Sequence, residues 1–260
     1  MSNGSSRIYV FRPSGRGIDP ESWARLKVII AVLIGLYAVN LLLLGTDGVI
    51  RGLIKFSILI PVILFSLSFH EAAHGYVADF LGDPTPRHQG RLTLNPMKHL
   101  DVIGTVMMLF SNMGWAKPVQ VDSRNFRVPL RAMLSVAIAG PAANVFLALL
   151  GAGAQKLLEV NYPTAPSSGF FILWLKAFCE TWWTLNLGLA CFNLVPIPPL
   201  DGSRILNYFL PASYREAFRK LEAYDPLLLM ILIYAGLVQM MYLPVFEWSA
   251  NMVQRTFGLF

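Results

Sequence analysis

The chain has 260 residues, 55% hydrophobic and only 14% charged, with a mean hydropathy of +0.53. Soluble domains average nearer a quarter charged, so this composition excludes an ordinary soluble protein and predicts a polytopic membrane protein. The net charge of +6 and pI near 9.4 do not point to nucleic acid. The basic residues flank apolar runs instead of forming one patch, as the positive-inside rule arranges them.

Residues 1–24 are rich in Ser, Gly, Pro and Arg, lack apolar periodicity and read as a mobile cytoplasmic arm. The first apolar run starts late and has no small-residue cleavage pattern, against a signal peptide. Residues 27–44, KVIIAVLIGLYAVNLLLL, are long enough for a first span, and GTDGVIRG reads as the turn after it. A second span is expected from about Leu53 to Phe80, with its last turns emerging into the interface. Residues 81–101 hold Pro84, Pro86 and Pro96, which oppose a long helix. The apolar run 102–113 is too short to cross and reads as re-entrant. Residues 90–94 and 115–121 are expected to pair as a small sheet beside the catalytic mouth, able to hold an unwound substrate by strand addition.

A third span is expected from Ala132 to about Gln155, dense in Ala, Gly and Ser that allow close helix approach. Gly140-Pro141 should kink or loosen it, and Asn144 needs a partner at that depth. The fourth span runs from Phe170 to Leu194. Within it, Lys176 and Glu180 read as an i,i+4 ion pair, and Trp174, Trp182 and Trp183, with Tyr162, as an interfacial belt. Cys179 and Cys191 lie about 18 Å apart on that helix, too far for a disulfide. A fifth span is expected from about Pro226 to Leu243, followed by a short interfacial helix. The fold class is thus an all-α polytopic membrane protein. It has about five spans, a re-entrant segment and a small β element, in one domain from residue 25 to 260.

Lys and Arg cluster in the N-terminal arm, in 81–131 and in 201–224. If 102–113 re-enters, all three groups share one side, which the positive-inside rule makes cytoplasmic. A six-span arrangement would split them.

The second span carries His70, Glu71 and His74 as HEAAH. Histidines four apart on a helix share a face and can both reach one zinc at about 2.0–2.1 Å. Glu71 points beside that face, where it can take a proton from water. Ionisable groups within so apolar a segment mark a functional site. A catalytic zinc takes a third protein ligand. Asp201 is the candidate, since Pro196, Pro198 and Pro199 end the fourth helix and Gly202 allows a tight turn. The plain alternative is that Asp201 caps the helix after it. His88 and His99 are rivals for the third position, and Asp79 could support a ligand from behind.

HEAAH, GRLTLNP-K-HLD, GWAKPV, AGPAAN and FN-VP-PPLDG, in this order, resemble the site-2 protease family of intramembrane zinc metalloproteases. The resemblance covers roughly residues 53–210 and is to the short members, without PDZ or CBS modules. It implies His70, His74 and Asp201 as ligands of one Zn2+ and Glu71 as catalytic base and acid. It places Asn144 and Asn193 near the active site, where either could donate to an oxyanion or to the substrate backbone. The implied activity is hydrolysis of peptide bonds in or near transmembrane segments of membrane proteins. The expected setting is the lipid bilayer of a prokaryotic inner membrane, with the site toward the cytoplasm. A metal or proton transporter would explain His and Asp in a membrane but not the Glu of HExxH. An inactive scaffold is opposed by the presence of every catalytic residue. Nothing in the sequence sets the oligomeric state.

Overall fold

A computed structural model describes residues 45–99, 117–163, 169–211, 213–215 and 225–259, with isolated helical positions between 31 and 43. The expected arm, most of the expected first span and the expected re-entrant segment lie outside the described residues.

The second expected span is helix α1, Gly45–Phe80, and it starts earlier than the sequence suggests. The expected turn shrinks to Gly45, whose φ of 73° suits only glycine without strain. Asp47 then sits in the first turn, where a carboxylate favours the helix dipole. The 36 residues of α1 make a rod of about 54 Å. That exceeds a bilayer core of about 30 Å, so at least one end stands outside it.

Helix α2, Pro129–Asn161, has proline at its first position and continues as one helix through Gly140-Pro141. Helix α3, Phe170–Asn193, packs antiparallel to α2. A short helix, α4, covers Asp201–Phe209. The expected fifth span is broken: α5, Asp225–Tyr234, and α6, Leu237–Phe257, meet at a 73° bend. Gly236, with φ 78°, makes that break, and α6 absorbs the expected terminal helix.

Among the described residues, α1 and α2 are long and apolar enough to cross a membrane, and the α5–α6 pair makes a third if counted as one span. Large apolar side chains on the outer faces of α1 and α2, such as Leu53, Phe146 and Leu150, are exposed, as lipid-facing residues are.

The α2–α3–α6 contact buries Ala148, Ala152, Trp183, Leu187, Cys191 and Val253. Trp182 donates its indole N–H to the Leu147 carbonyl at 2.9 Å, and Trp183 donates to Gln155 at 2.6 Å. These two tryptophans therefore serve helix packing, not an interfacial belt. Lys176 turns away from Glu180 and donates to the carbonyl of Tyr162 at the end of α2.

No strand occurs among the described residues. Residues 90–94 form turn and bend, and 117–121 are irregular, so the expected sheet is absent where those segments are described. Their polar groups are satisfied without a ladder. Arg91 donates to the Lys98 carbonyl, His99 Nε2 to the Thr93 carbonyl, and the Lys117 N–H to the His99 carbonyl.

Candidate metal centre

His70 and His74 sit one turn apart on α1, both buried, with Nε2 atoms 3.0 Å apart. Each Nε2 lies 3.2 Å from Asp201 Oδ2. Three ligand atoms bound tetrahedrally to one zinc would be about 3.4 Å apart, so the triangle has the size the metal requires. These three residues are the one group among the described residues whose ligand atoms could hold a metal.

The facing helix explains why they converge. Val136, Gly140 and Asn144 recur every four residues on α2, on one face. The Val136 carbonyl accepts from His74 Nδ1 at 2.7 Å, and Asn144 Oδ1 accepts from His70 Nδ1 at 2.5 Å. Gly140 lies between them. A Cβ there would stand 2.3 Å from His74 Nε2 and 2.5 Å from His70 Cε1, so only glycine leaves room for the rings.

The network also sets the tautomers. The Trp182 carbonyl can only accept, so Asn186 Nδ2 donates to it at 2.8 Å. Asn186 Oδ1 then accepts from Asn144 Nδ2 at 2.9 Å, which turns Asn144 Oδ1 toward His70. With both Nδ1 atoms donating, both neutral imidazoles present Nε2 lone pairs to Asp201 Oδ2. That oxygen is buried without a hydrogen-bond partner. Three converging lone pairs repel unless a cation lies among them, and the donor set of two nitrogens and one carboxylate oxygen suits zinc.

Asp201 is the first residue of α4, but its side chain does not cap the helix; it turns to the histidines. Gly202 makes this approach feasible, because a Cβ there would lie 2.2 Å from the Leu194 carbonyl oxygen at the end of α3.

Glu71 is half-buried, and its Oε2 accepts from the main-chain N–H of Val119 at 2.9 Å. The other sequence candidates stand elsewhere. His88 is exposed, and His99 is buried against the Thr93 carbonyl. Asp79 pairs with Arg87. Asn193, half-buried at the end of α3, donates to the Leu189 carbonyl at 2.9 Å. Asn186 escaped sequence reasoning; a polar amide in an apolar helix, itself in need of a partner, was the only signal for it.

Residues 167–234 match Peptidase family M50. The chain is 37% identical over 203 residues to "Putative zinc metalloprotease YwhC" of Bacillus subtilis, covering 77% of this chain and 90% of that protein. The chain belongs to peptidase family M50. Rip2 of Mycobacterium tuberculosis, named in the same way, is 28% identical over 191 residues, 71% of this chain and 70% of Rip2. "Zinc metalloprotease MJ0392" of Methanocaldococcus jannaschii is 24% identical over 198 residues, 76% of this chain and 44% of that protein. No solved structure gives a significant match. For an M50 peptidase, the matched stretch contains Asp201 and its proline-rich approach, while HEAAH lies upstream on α1.

Proposed function

We propose that the chain hydrolyses peptide bonds in or beside transmembrane segments of other membrane proteins, with His70, His74 and Asp201 holding one zinc ion. Its class, a zinc metalloprotease, follows from the family. The observation that carries the mechanism is the convergence of two Nε2 lone pairs and Asp201 Oδ2, with Glu71 next to the first histidine in the chain.

His70, His74 and Asp201 would hold a zinc ion that would supply Lewis acidity and make a water at the site easier to deprotonate. Glu71 takes the water's proton and later returns it to the leaving amine. The Val119 N–H occupies Oε2, so Oε1 is the oxygen that carries the proton. Asn144 spends both ends of its amide on His70 and Asn186, which makes it a positioning residue. Asn144 is fully buried, whereas Asn193 is half-buried with a second N–H beyond its bond to Leu189, which makes Asn193 the better donor to an oxyanion or substrate backbone. A helical substrate has its peptide groups locked in hydrogen bonds and must unwind locally first.

Five crossings complete the reading: 27–44, α1, α2, α3 and the bent α5–α6 pair. The basic loops then share the cytoplasmic side with the metal centre.

The test is cleavage of a membrane-span reporter by the purified protein in lipid. Wild type should cleave, lose activity to a chelator and regain it with zinc. Glu71→Gln should bind zinc normally yet not cleave. Cleavage by Glu71→Gln at the wild-type rate would end the reading.

A further inference from the structure

Away from the metal centre, Arg91, Lys98 and Lys117 line one open concavity of about 400 Å³, completed by Gln89, Gln120 and Met97. Among the described residues, no carboxylate lines it, and none of the three cations lies within ion-pair distance of an Asp or Glu. Three gathered like charges repel one another, which a bound anion would relieve.

The concavity is built into the fold. Arg91 is only 7% exposed, and its guanidinium donates to the Lys98 carbonyl. The Lys117 N–H donates to the His99 carbonyl at 2.7 Å. Gln89 Nε2 donates to Gln120 Oε1 at 2.9 Å, tying the two walls together. The surroundings name the source of the anion. Met97 in its lining is exposed, as is Leu94 three residues earlier in the chain, and exposed Tyr76 on α1 reaches the Leu92 carbonyl. Apolar and aromatic side chains mixed with lysines, just past the end of a long apolar helix, are the composition of a membrane–water interface.

We propose that this concavity binds the phosphate of an anionic phospholipid headgroup. Arg91 offers a guanidinium fork and the two lysines offer point charges, a set suited to several phosphate oxygens. Lys117 and Gln120 flank Val119, whose N–H holds Glu71. A bound headgroup therefore fastens the segment that orients Glu71. The binding site itself does not depend on the protease reading.

The test uses the full chain in neutral detergent. Native mass spectrometry follows retention of phosphatidylglycerol against phosphatidylcholine, and hydrogen exchange locates the site. Wild type should retain phosphatidylglycerol preferentially, with slowed exchange across 89–99 and 117–121. Lys98→Gln with Lys117→Gln should weaken retention about 30-fold. Lys98→Arg with Lys117→Arg should preserve it, as should the charge-matched control Arg51→Gln with Arg127→Gln. Equal losses in the Gln pair and the control would overturn the proposal. So would inorganic phosphate at millimolar concentration giving the same protection, since the site would then belong to a soluble anion.

Discussion

Two regions meet at Glu71 and are built differently. The metal cradle draws on α1, α2, α3 and α4, and its hydrogen bonds join residues 74, 62 and 42 positions apart. The loop face, 81–99 with 117–125, is mostly made of turns closed over two to eight residues. Carboxylates anchor it from afar: Glu71 holds Val119, and Asp83 holds Asp122 and Asn125. Buried polar groups are costly unless fully partnered, so the cradle has to be over-determined. The loop face can be released by breaking a few bonds. Holding the metal and positioning Glu71 should therefore be separable by mutation.

The largest effect should come from Gly140→Ala, which puts a methyl against two rings that cannot retreat. Both are tethered through Nδ1, and the added Cβ would lie 2.3 Å from His74 Nε2. Zinc content should fall to background and cleavage with it, while far-UV circular dichroism stays helical. Full zinc loading in that variant would show that the cradle is less rigid than its hydrogen bonds imply.

Val119→Pro attacks the other region. It deletes one N–H and leaves the Glu71 carboxylate in place. Hydrogen bonds to charged groups contribute about 1.5–3 kcal/mol, so kcat should drop roughly 10- to 100-fold with zinc unchanged. Zinc and rate measured on one preparation decide the matter; a parallel fall in both would mean that the two regions are one.

Asn186→Ala returns to the cradle at one remove. Asn144 loses the acceptor that fixes which end of its amide faces His70. A flipped amide would demand the wrong tautomer of the ring. Zinc affinity should weaken about 10-fold, toward the mild end for residues that support a ligand. An unchanged affinity by competition with a chelating dye would remove Asn186 from the network.

These cases mark what the sequence could and could not reveal. His70, Glu71 and His74 were legible because helical periodicity alone puts them on adjoining faces. Asp201 was legible because prolines and a glycine announce a chain end beside an apolar helix. The roles of Gly140 and Asn186 were not, since each depends on what stands opposite in space. Gly140 read as a kink with Pro141, yet α2 runs through both, and the glycine is needed for approach. The break at Gly236 was hidden within an apolar run that reads as one span. Among the described residues the small sheet is absent, because 90–94 and 117–121, though extended in pattern, found side-chain and turn partners for their polar groups.

Asp83 gives the smallest and most local test. Fully buried three residues past the end of α1, it holds the loop face together. Oδ1 accepts from the N–H and hydroxyl of Thr85 and from Asn125 Nδ2, and Oδ2 accepts from the Asp122 N–H at 2.7 Å. Both oxygens act only as acceptors, so Asp83→Asn, although isosteric, must aim an amide N–H at one of these donors. The mismatch should cost about 1–3 kcal/mol of local stability. Amides across 117–125 should exchange faster, zinc should stay bound, and turnover should fall only a few-fold as Val119 loosens its hold on Glu71. If exchange in the cradle helices rose as much as in the loop, Asp83 would be a support of the whole fold, and the separation of the two regions would fail at its weakest joint.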